Sequence, residues 1–305
     1  MDMKLEAAGA GWEIFAISSR PPPDRRMGFG GIAIQSRYAG VKVGVGTAAE
    51  GAPVGRTASW LGVQFLKGPG QGSFEVRVDG GPPLRVDAEA PEFASGLAAI
   101  PLEDAPHRAR IATVGVRPVR LFGAILERTG PGAVVDAVGV ASSIAGTILR
   151  QEPTVYRQAL AQRAHDLVIF THGSFDVRPW NPPEGHAASV RAIVALHREV
   201  RPDIGVLITS PIDYKGPLDE SRYSPALAAA ENRALARDNR VAFWDLRAAM
   251  GGDRSIATFR AHKMADADLI HLNEKGGLFV GNRLALALWS DLTRHLARHP
   301  ACTAP

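Results

Sequence analysis

The sequence predicts an α/β protein whose mainly parallel sheet is preceded by an all-β domain. Three observations carry this. Short segments of alternating apolar and polar residues, divided by Gly and Pro, run from Gly11 to Glu127. Beyond them, nearly continuous apolar runs alternate with helical patterns, as in a sheet covered on both faces. The change falls at Thr129-Gly130-Pro131-Gly132, so the expected domains are 1–130 and 131–305.

In the first part the expected strands are Trp12–Ile17, Gly31–Gln35, Gly40–Val45, Ala58–Phe65, Ser73–Val78, His107–Val114 and Val119–Leu126. Phe74-Glu75-Val76-Arg77-Val78 alternates strictly, which gives a strand one wet face, and Asp79-Gly80-Gly81-Pro82-Pro83 then supplies turn chemistry. Many short strands separated by turns point to a β-sandwich or jelly roll. Pro21–Arg26 reads as a solvated loop. Gly68-Pro69-Gly70-Gln71-Gly72 lacks the lysine of a phosphate-binding loop and reads as a β-turn.

In the second part Ala133–Val140 reads as a strand buried on both faces, and a helix follows with Pro153 in its first turn. Asp166–Thr171, Gly205–Thr209 and Val241–Asp245 are further strands. Ala187–Val200 is an expected helix, and Ser224-Pro225 forms an N-cap and first-turn pair opening another through about Arg237. Ligands of such sheets bind at the carboxyl ends of the strands. The loops to search are therefore Gly139–Ser143, His172–Asp176, Ser210–Tyr214 and Asp268–His271.

Composition narrows the function. Hydrophobic residues are 46% and charged residues 22% of the 305, with a net charge of +4, normal for a globular chain. No run is long and apolar enough to span a membrane. The start, Met1-Asp2-Met3-Lys4-Leu5-Glu6, does not read as a signal peptide. The basic residues are scattered among acids, with no block that would track a nucleic-acid backbone, so no nucleic-acid partner is expected. A single cysteine, Cys302, leaves no disulfide framework, cysteine zinc site or cysteine nucleophile, and it fits cytoplasm and periplasm equally. His186, His197 and His262 lack metal-ligand spacing; His295 and His299 read as a helix face. No metal and no cofactor is expected.

The stretch Asp266–Gly277, DADLIHLNEKGG, organises the chain. Asp268 and His271 stand three residues apart, ahead of a helix with Asn273 as N-cap, Glu274 in its first turn and Leu278, Leu284, Leu288, Leu292 and Leu296 as its packed side. A carboxylate that accepts from a histidine Nδ1–H orients the ring and stabilises its imidazolium form. Alone, Asp-x-x-His is a common pattern, and a solvated loop is its simplest reading.

Taken together these stretches resemble the SGNH, or GDSL-type, hydrolases, esterases and acyl-transfer enzymes on a flavodoxin-like sheet. The resemblance covers roughly Pro131 to Arg298. Asp268-Leu269-Ile270-His271 resembles the block that carries the catalytic Asp and His. Asp166–Asp176, DLVIFTHGSFD, resembles the third block, commonly Gly-x-Asn-Asp/Glu, and Val135–Ser143, VDAVGVASS, the second. Phe243–Gly252 is similar to a stretch in the bacterial branch of peptidoglycan O-acetyl esterases, where a jelly roll resembling carbohydrate-binding modules joins the hydrolase domain. The resemblance implies that same pair of domains here.

The departures are as informative. The family's nucleophile block, Gly-Asp-Ser, occurs nowhere in the chain. The resemblance places Phe175 where the family has an oxyanion-donating Asn, beside Gly173, and Ser142 where it has a Gly; the Phe side chain has no donor. Ser142 and Ser143 are the substitute nucleophiles within the chain, with polar turn residues as the simpler reading. His172 and Asp176 read as ordinary loop residues. The expectation is a relative of polysaccharide acetyl esterases with an incomplete site, acting on an acylated glycan or small ester. The alternative is a non-catalytic relative that binds glycan or protein. A further alternative is a chain whose nucleophile comes from a protein partner or a missing N-terminal segment.

Overall fold

The computed structural model describes residues 11–141, 143–172, 183–215 and 224–299. It is a mixed α/β structure in two compact units. One comprises Met1–Ser143, Thr147–His165 and Glu199–Arg201; the other Ile144–Gly146, Asp166–Arg198 and Pro202–Pro305.

Among the described residues the first unit holds nine strands: β1 (Glu13–Ala16), β2 (Ile32–Ser36), β3 (Lys42–Gly46), β4 (Ala58–Lys67), β5 (Ser73–Val78), β6 (Leu84–Asp87), β7 (Ala94–Ala105), β8 (Arg108–Val114) and β9 (Val119–Glu127). They form two antiparallel sheets, ordered β1-β2-β9-β4-β7 and β3-β8-β5-β6. Leu61, Val63 and Leu121 from the first and Val43, Phe74, Val76 and Ile111 from the second share one buried cluster. Period-two alternation lets β3, β5 and β8 feed that cluster from one face and keep the other wetter, whereas β4 and β9 are buried on both faces.

Two strands were not expected. β7 contains Pro101 and the pairs Ala98-Ala99 and Glu103-Asp104, which argue against a strand, but it lies at the sheet edge, where a proline costs no ladder bond. β6 is a short edge strand, joined to β5 by residues 79–83, which open with the turn Asp79-Gly80. Both residues of that turn have positive φ, 50° and 75°, and Gly81 N–H donates to Val78 O at 2.8 Å. This is the Asp-Gly geometry that matches strand twist in a two-residue hairpin.

A helix, α1 (Pro153–Arg163), lies on β7 in the same unit. Glu152 caps it by accepting from Thr154 and Val155 N–H. Gln158 accepts from Ser95 N–H, and Gln162 bonds Ser95 and Gln64.

The run Ala133–Val140 is not a strand. It joins no described sheet, and Val135 is 86% exposed. An apolar run becomes a parallel strand only when a neighbour pairs its backbone, and none of the described strands does so. Asp136 holds the segment instead, accepting from Arg163 Nε and His165 Nε2, both at 2.8 Å.

The second unit contains β10 (Leu167–Phe170), α2 (Pro183–Val200, its last two residues counted with the first unit), β11 (Gly205–Thr209), α3 (Pro225–Asp238) and β12 (Ala242–Trp244). The short helices α4 (Leu246–Met250) and α5 (Ser255–Ala261) and the long α6 (Glu274–Arg298) complete it. β10, β11 and β12 form a parallel sheet in that order, with a helix in each crossover. The central β11 is buried from Val206 to Thr209, whereas edge strand β10 is only half-buried although wholly apolar. Ser224 caps α3 with Pro225 at its first position, as expected. α6 departs from expectation: Val280 and Gly276 are buried, but Leu278, Leu286, Trp289 and Leu292 are exposed. The leucine spacing made a helix without making a packed one, because propensity and capping act locally while burial needs an opposing surface.

One pair in the first unit, a buried histidine and an exposed aspartate, has a pH signature. His107 is buried, with Nδ1 2.6 Å from Asp79 Oδ2 and Nε2 2.7 Å from Glu103 O. Carboxylate and carbonyl oxygens only accept, so both ring nitrogens carry protons. The Asp79 hydrogen bond, then that to Glu103, raises the His107 pKa; the Arg108 N–H, then His107, lowers that of Asp79. The contribution of the raised histidine is full below its unfolded value and lost as pH rises through the folded one. That of the lowered carboxylate is lost as pH falls through its folded value. Asp79→Ala is expected to destabilise the protein by about 1–3 kcal/mol, most between those two titrations. Melting midpoints of both proteins across pH 3–9 measure this, and a pH-independent difference would contradict it.

Candidate active site

The loop between α5 and α6 carries Asp268 and His271, and its backbone explains their meeting. Ala265 and Leu272 form an antiparallel bridge, and Asp266 N–H donates to His271 O at 2.8 Å. Leu269 turns the chain with φ of 57°, a left-handed conformation that costs a non-glycine residue roughly 1–2 kcal/mol. Its side chain offsets this by packing against the cluster of Leu246, Met250, Ile256, Phe259, Ala265 and Val280. Lys215 N–H donates to Leu269 O at 2.9 Å.

The turn folds Asp268 back on its successors. Oδ1 accepts from Ile270 N–H at 2.9 Å and His271 N–H at 3.1 Å, and Oδ2 accepts from His271 Nδ1 at 2.6 Å. The His271 side-chain bond, then the two backbone bonds, lowers the Asp268 pKa to about 2. The carboxylate therefore stays ionised at any ordinary pH. With Nδ1–H committed to it, the neutral ring presents Nε2 as acceptor, and His271 is well exposed at 65%. This is the geometry of a general base with its orienting acid.

Downstream, Asn273 Oδ1 accepts from Gly276 N–H at 3.2 Å and caps α6. Gly276 is required: a Cβ there would run into the Met264 carbonyl. The glycine thus lets the first turn of α6 lie directly on the Met264 backbone, beside the Ala265–Leu272 bridge.

A second constellation, which the sequence did not suggest, sits at the carboxyl ends of β10 and β11. Asn232 of α3 is 1% exposed. Its Nδ2 donates to His172 O at 2.9 Å and Thr209 O at 2.8 Å, and its Oδ1 lies 2.8 Å from His186 Nε2, which therefore donates. One amide fixes both strand exits and the first turn of α2. The only hint in the sequence was an asparagine, a poor helix former, inside an alanine-rich helix. In the following loop Ser210 Oγ accepts from Arg247 N–H at 2.8 Å and donates to Asp245 Oδ1 at 3.2 Å.

Of the residues expected at the site, Asp268 and His271 are brought together. Ser142, Gly173, Phe175 and Asp176 lie outside the described residues. Ser143, half-buried in the first unit, donates its N–H to Val140 O at 3.2 Å in a turn. His295 and His299 stack with ring centroids 4.5 Å apart at the end of α6, and no cluster of three metal-binding side chains occurs among the described residues. No described helix is long and apolar enough to cross a membrane.

An α/β unit of this order, with an Asp–His pair on the loop before its last helix, belongs to the class of SGNH-type hydrolases. Residues 111–277, more than half of the chain, match the GDSL-like Lipase/Acylhydrolase family, and the chain belongs to that family. No curated protein matches the sequence. Among solved structures, a peptidoglycan O-acetylesterase aligns over 94% of this chain and 79% of its own, at 22% identity and a TM-score of 0.70, so the two share a fold. A family two carbohydrate esterase from Clostridium thermocellum aligns over 93% of this chain and 99% of its own, at 12% identity and a TM-score of 0.39. A salicylyl-acyltransferase of a tetracycline biosynthetic pathway aligns over 87% and 84%, at 16% identity and a TM-score of 0.37. The last two are too distant for a shared fold to be read from them.

Two outcomes test this geometry without any substrate. Nitrogen-15 spectra of the His271 ring should show the Nδ1–H tautomer in the neutral protein and its loss in Asp268→Ala; an Nε2–H ring in the parent would sink the assignment. Gly276→Ala should cost about 1–3 kcal/mol by overpacking and speed amide exchange across 264–272, measured by denaturant melts and hydrogen exchange.

Proposed function

We propose that this chain is an SGNH-type acyl-ester hydrolase related to polysaccharide acetylesterases, with its Asp–His half in place. The observation that carries the reading is the 2.6 Å bond from His271 Nδ1–H to Asp268 Oδ2 on an exposed loop. The family and the shared fold with a peptidoglycan O-acetylesterase support an O-acetylated glycan as substrate. In this reading 1–130 is a jelly-roll module and 131–305 a hydrolase module with a flavodoxin-like sheet. The two antiparallel sheets over one core support the first assignment, and the parallel strands with helical crossovers support the second.

The reaction would run as acyl transfer through serine. A serine Oγ attacks the acyl carbon while His271 Nε2 takes its proton. The sugar hydroxyl leaves with that proton, and water, deprotonated by the same nitrogen, then releases the carboxylic acid. Asp268 keeps the ring oriented and balances the imidazolium charge. The chain contains no Gly-Asp-Ser, so we infer that the nucleophile comes from a partner or from a polypeptide segment beyond these residues. The half-buried apolar edge strand β10 supports this, since a further parallel strand would cover it. Ser142 and Ser143 are the candidates within the chain, and Gly173 and Phe175 would flank the oxyanion. A non-catalytic glycan- or protein-binding relative is the competing reading.

The test uses 4-nitrophenyl acetate and a serine-directed phosphonate. The isolated chain is expected to hydrolyse the ester slowly, with little change in His271→Ala, because losing a nucleophile or an oxyanion donor costs about 10²–10³-fold or more. Adding a Gly-Asp-Ser strand segment should raise the rate in a His271-dependent manner. Stoichiometric labelling of Ser142 or Ser143, abolished by His271→Ala, would instead mean that the site is complete within the chain. No His271-dependent rate under any condition would favour the binding reading.

A further inference from the structure

We propose that the outer face of the β3-β8-β5-β6 sheet binds a carboxylated polysaccharide through Arg77 and Arg110. This deepens the glycan part of the reading above, yet its test needs no hydrolysis. The two residues are widely separated in sequence, but the β5–β8 register sets them directly opposite each other. Both are exposed. Like charges directly opposite on a sheet destabilise the pairing, so the arrangement asks for an anion between them.

The surrounding residues extend this charge. Lys42 on β3 and Arg108 on β8 have the same outward parity and are exposed. Among the described residues none of Lys42, Arg77, Arg108 or Arg110 makes an ion pair; Arg77 Nη1 donates only to Gly81 O, at 2.6 Å. The acids nearby lie toward β6 and the turn: Glu75 stands opposite Arg85, Asp87 accepts from Ser73 Oγ at 3.3 Å, and Asp79 is held by His107. Beside the arginines the face is nearly bare: Gly44 is opposite Arg110, Gly46 opposite Arg108, and Ala112 opposite Lys42. A sugar ring could therefore approach the backbone while two guanidinium forks grip its carboxylates.

The carboxylate is favoured because planar guanidinium groups pair with it bidentately. A glycan is favoured over a membrane because the face offers no large apolar side chain for insertion, and over nucleic acid because it offers no aromatic ring on which bases would stack.

The experiment is affinity electrophoresis of the full chain through gels containing polygalacturonate, a neutral glucan or no glycan. Filter binding to duplex DNA and flotation with phosphatidylglycerol vesicles run alongside. Polygalacturonate should retard the parent chain, less so as salt rises, and the Arg77→Gln/Arg110→Gln variant should lose at least tenfold in affinity. Arg294→Gln, on α6, should behave as the parent. Without glycan, Arg110→Gln should melt at or above the parent midpoint, which also shows that it folds. Equal retardation by neutral glucan, undiminished binding by the double variant, tighter binding to DNA or vesicles, or a lower midpoint for Arg110→Gln would each overturn the proposal. No His271-dependent hydrolysis even with an added Gly-Asp-Ser segment, polygalacturonate binding being retained, would refute the catalytic reading alone.

Discussion

A histidine serves as a base only if one nitrogen is committed as donor and the other left with its lone pair directed outward. Asp268 supplies that commitment, and its own position is the product of three N–H groups converging on one carboxylate. Much of the surrounding architecture holds that convergence. The left-handed Leu269 makes the turn, its side chain anchors the turn in the core, and the bridge of Ala265 with Leu272 closes it. Gly276 then allows α6 to start against the Met264 carbonyl. The strain of Leu269 is therefore tied to the site, as backbone strain held by surrounding packing often is.

The same logic, that a polar group buried in a protein must be satisfied, shapes the carboxyl ends of the parallel strands. The carbonyls of His172 and Thr209 stand at the ends of β10 and β11. Asn232 provides both N–H groups from α3, and its oxygen takes the proton of His186. The loops that follow β10 and β11 thus leave the sheet from fixed points. In the first unit, Arg163 works similarly: it reaches Glu127 at the end of β9 and Asp136 in the extended segment, tying the two together.

Much of this was legible from residue order. Asp268-x-x-His271 with the Asn273 cap announced both the dyad and the start of α6, because three-residue loops and caps are local events. Strands β5, β8, β9, β10 and β11 follow from period and apolar content within a few residues of their observed ends. The failures are those where a local signal needed a distant partner. Ala133–Val140 has the composition of a central strand but pairs with none among the described residues, and α6 has a leucine stripe that the described residues leave largely uncovered. β7 failed in the opposite direction, since edge position excused its Pro101.

The sequence by itself pointed to the family, to most of the strands and helices and to the Asp-x-x-His pair, and it contains no Gly-Asp-Ser. Each of these is written in contiguous residues or in their period. Tertiary structure alone decided that Asn232 would join two strand ends and that Leu269 would be the turn. It also gathered basic residues that look scattered along the chain. Alternation shows that Arg77 and Arg110 face outward, but only the pairing of β5 with β8 sets them side by side. Register depends on which strands meet, and that is settled by burial of the whole sheet rather than by any one strand.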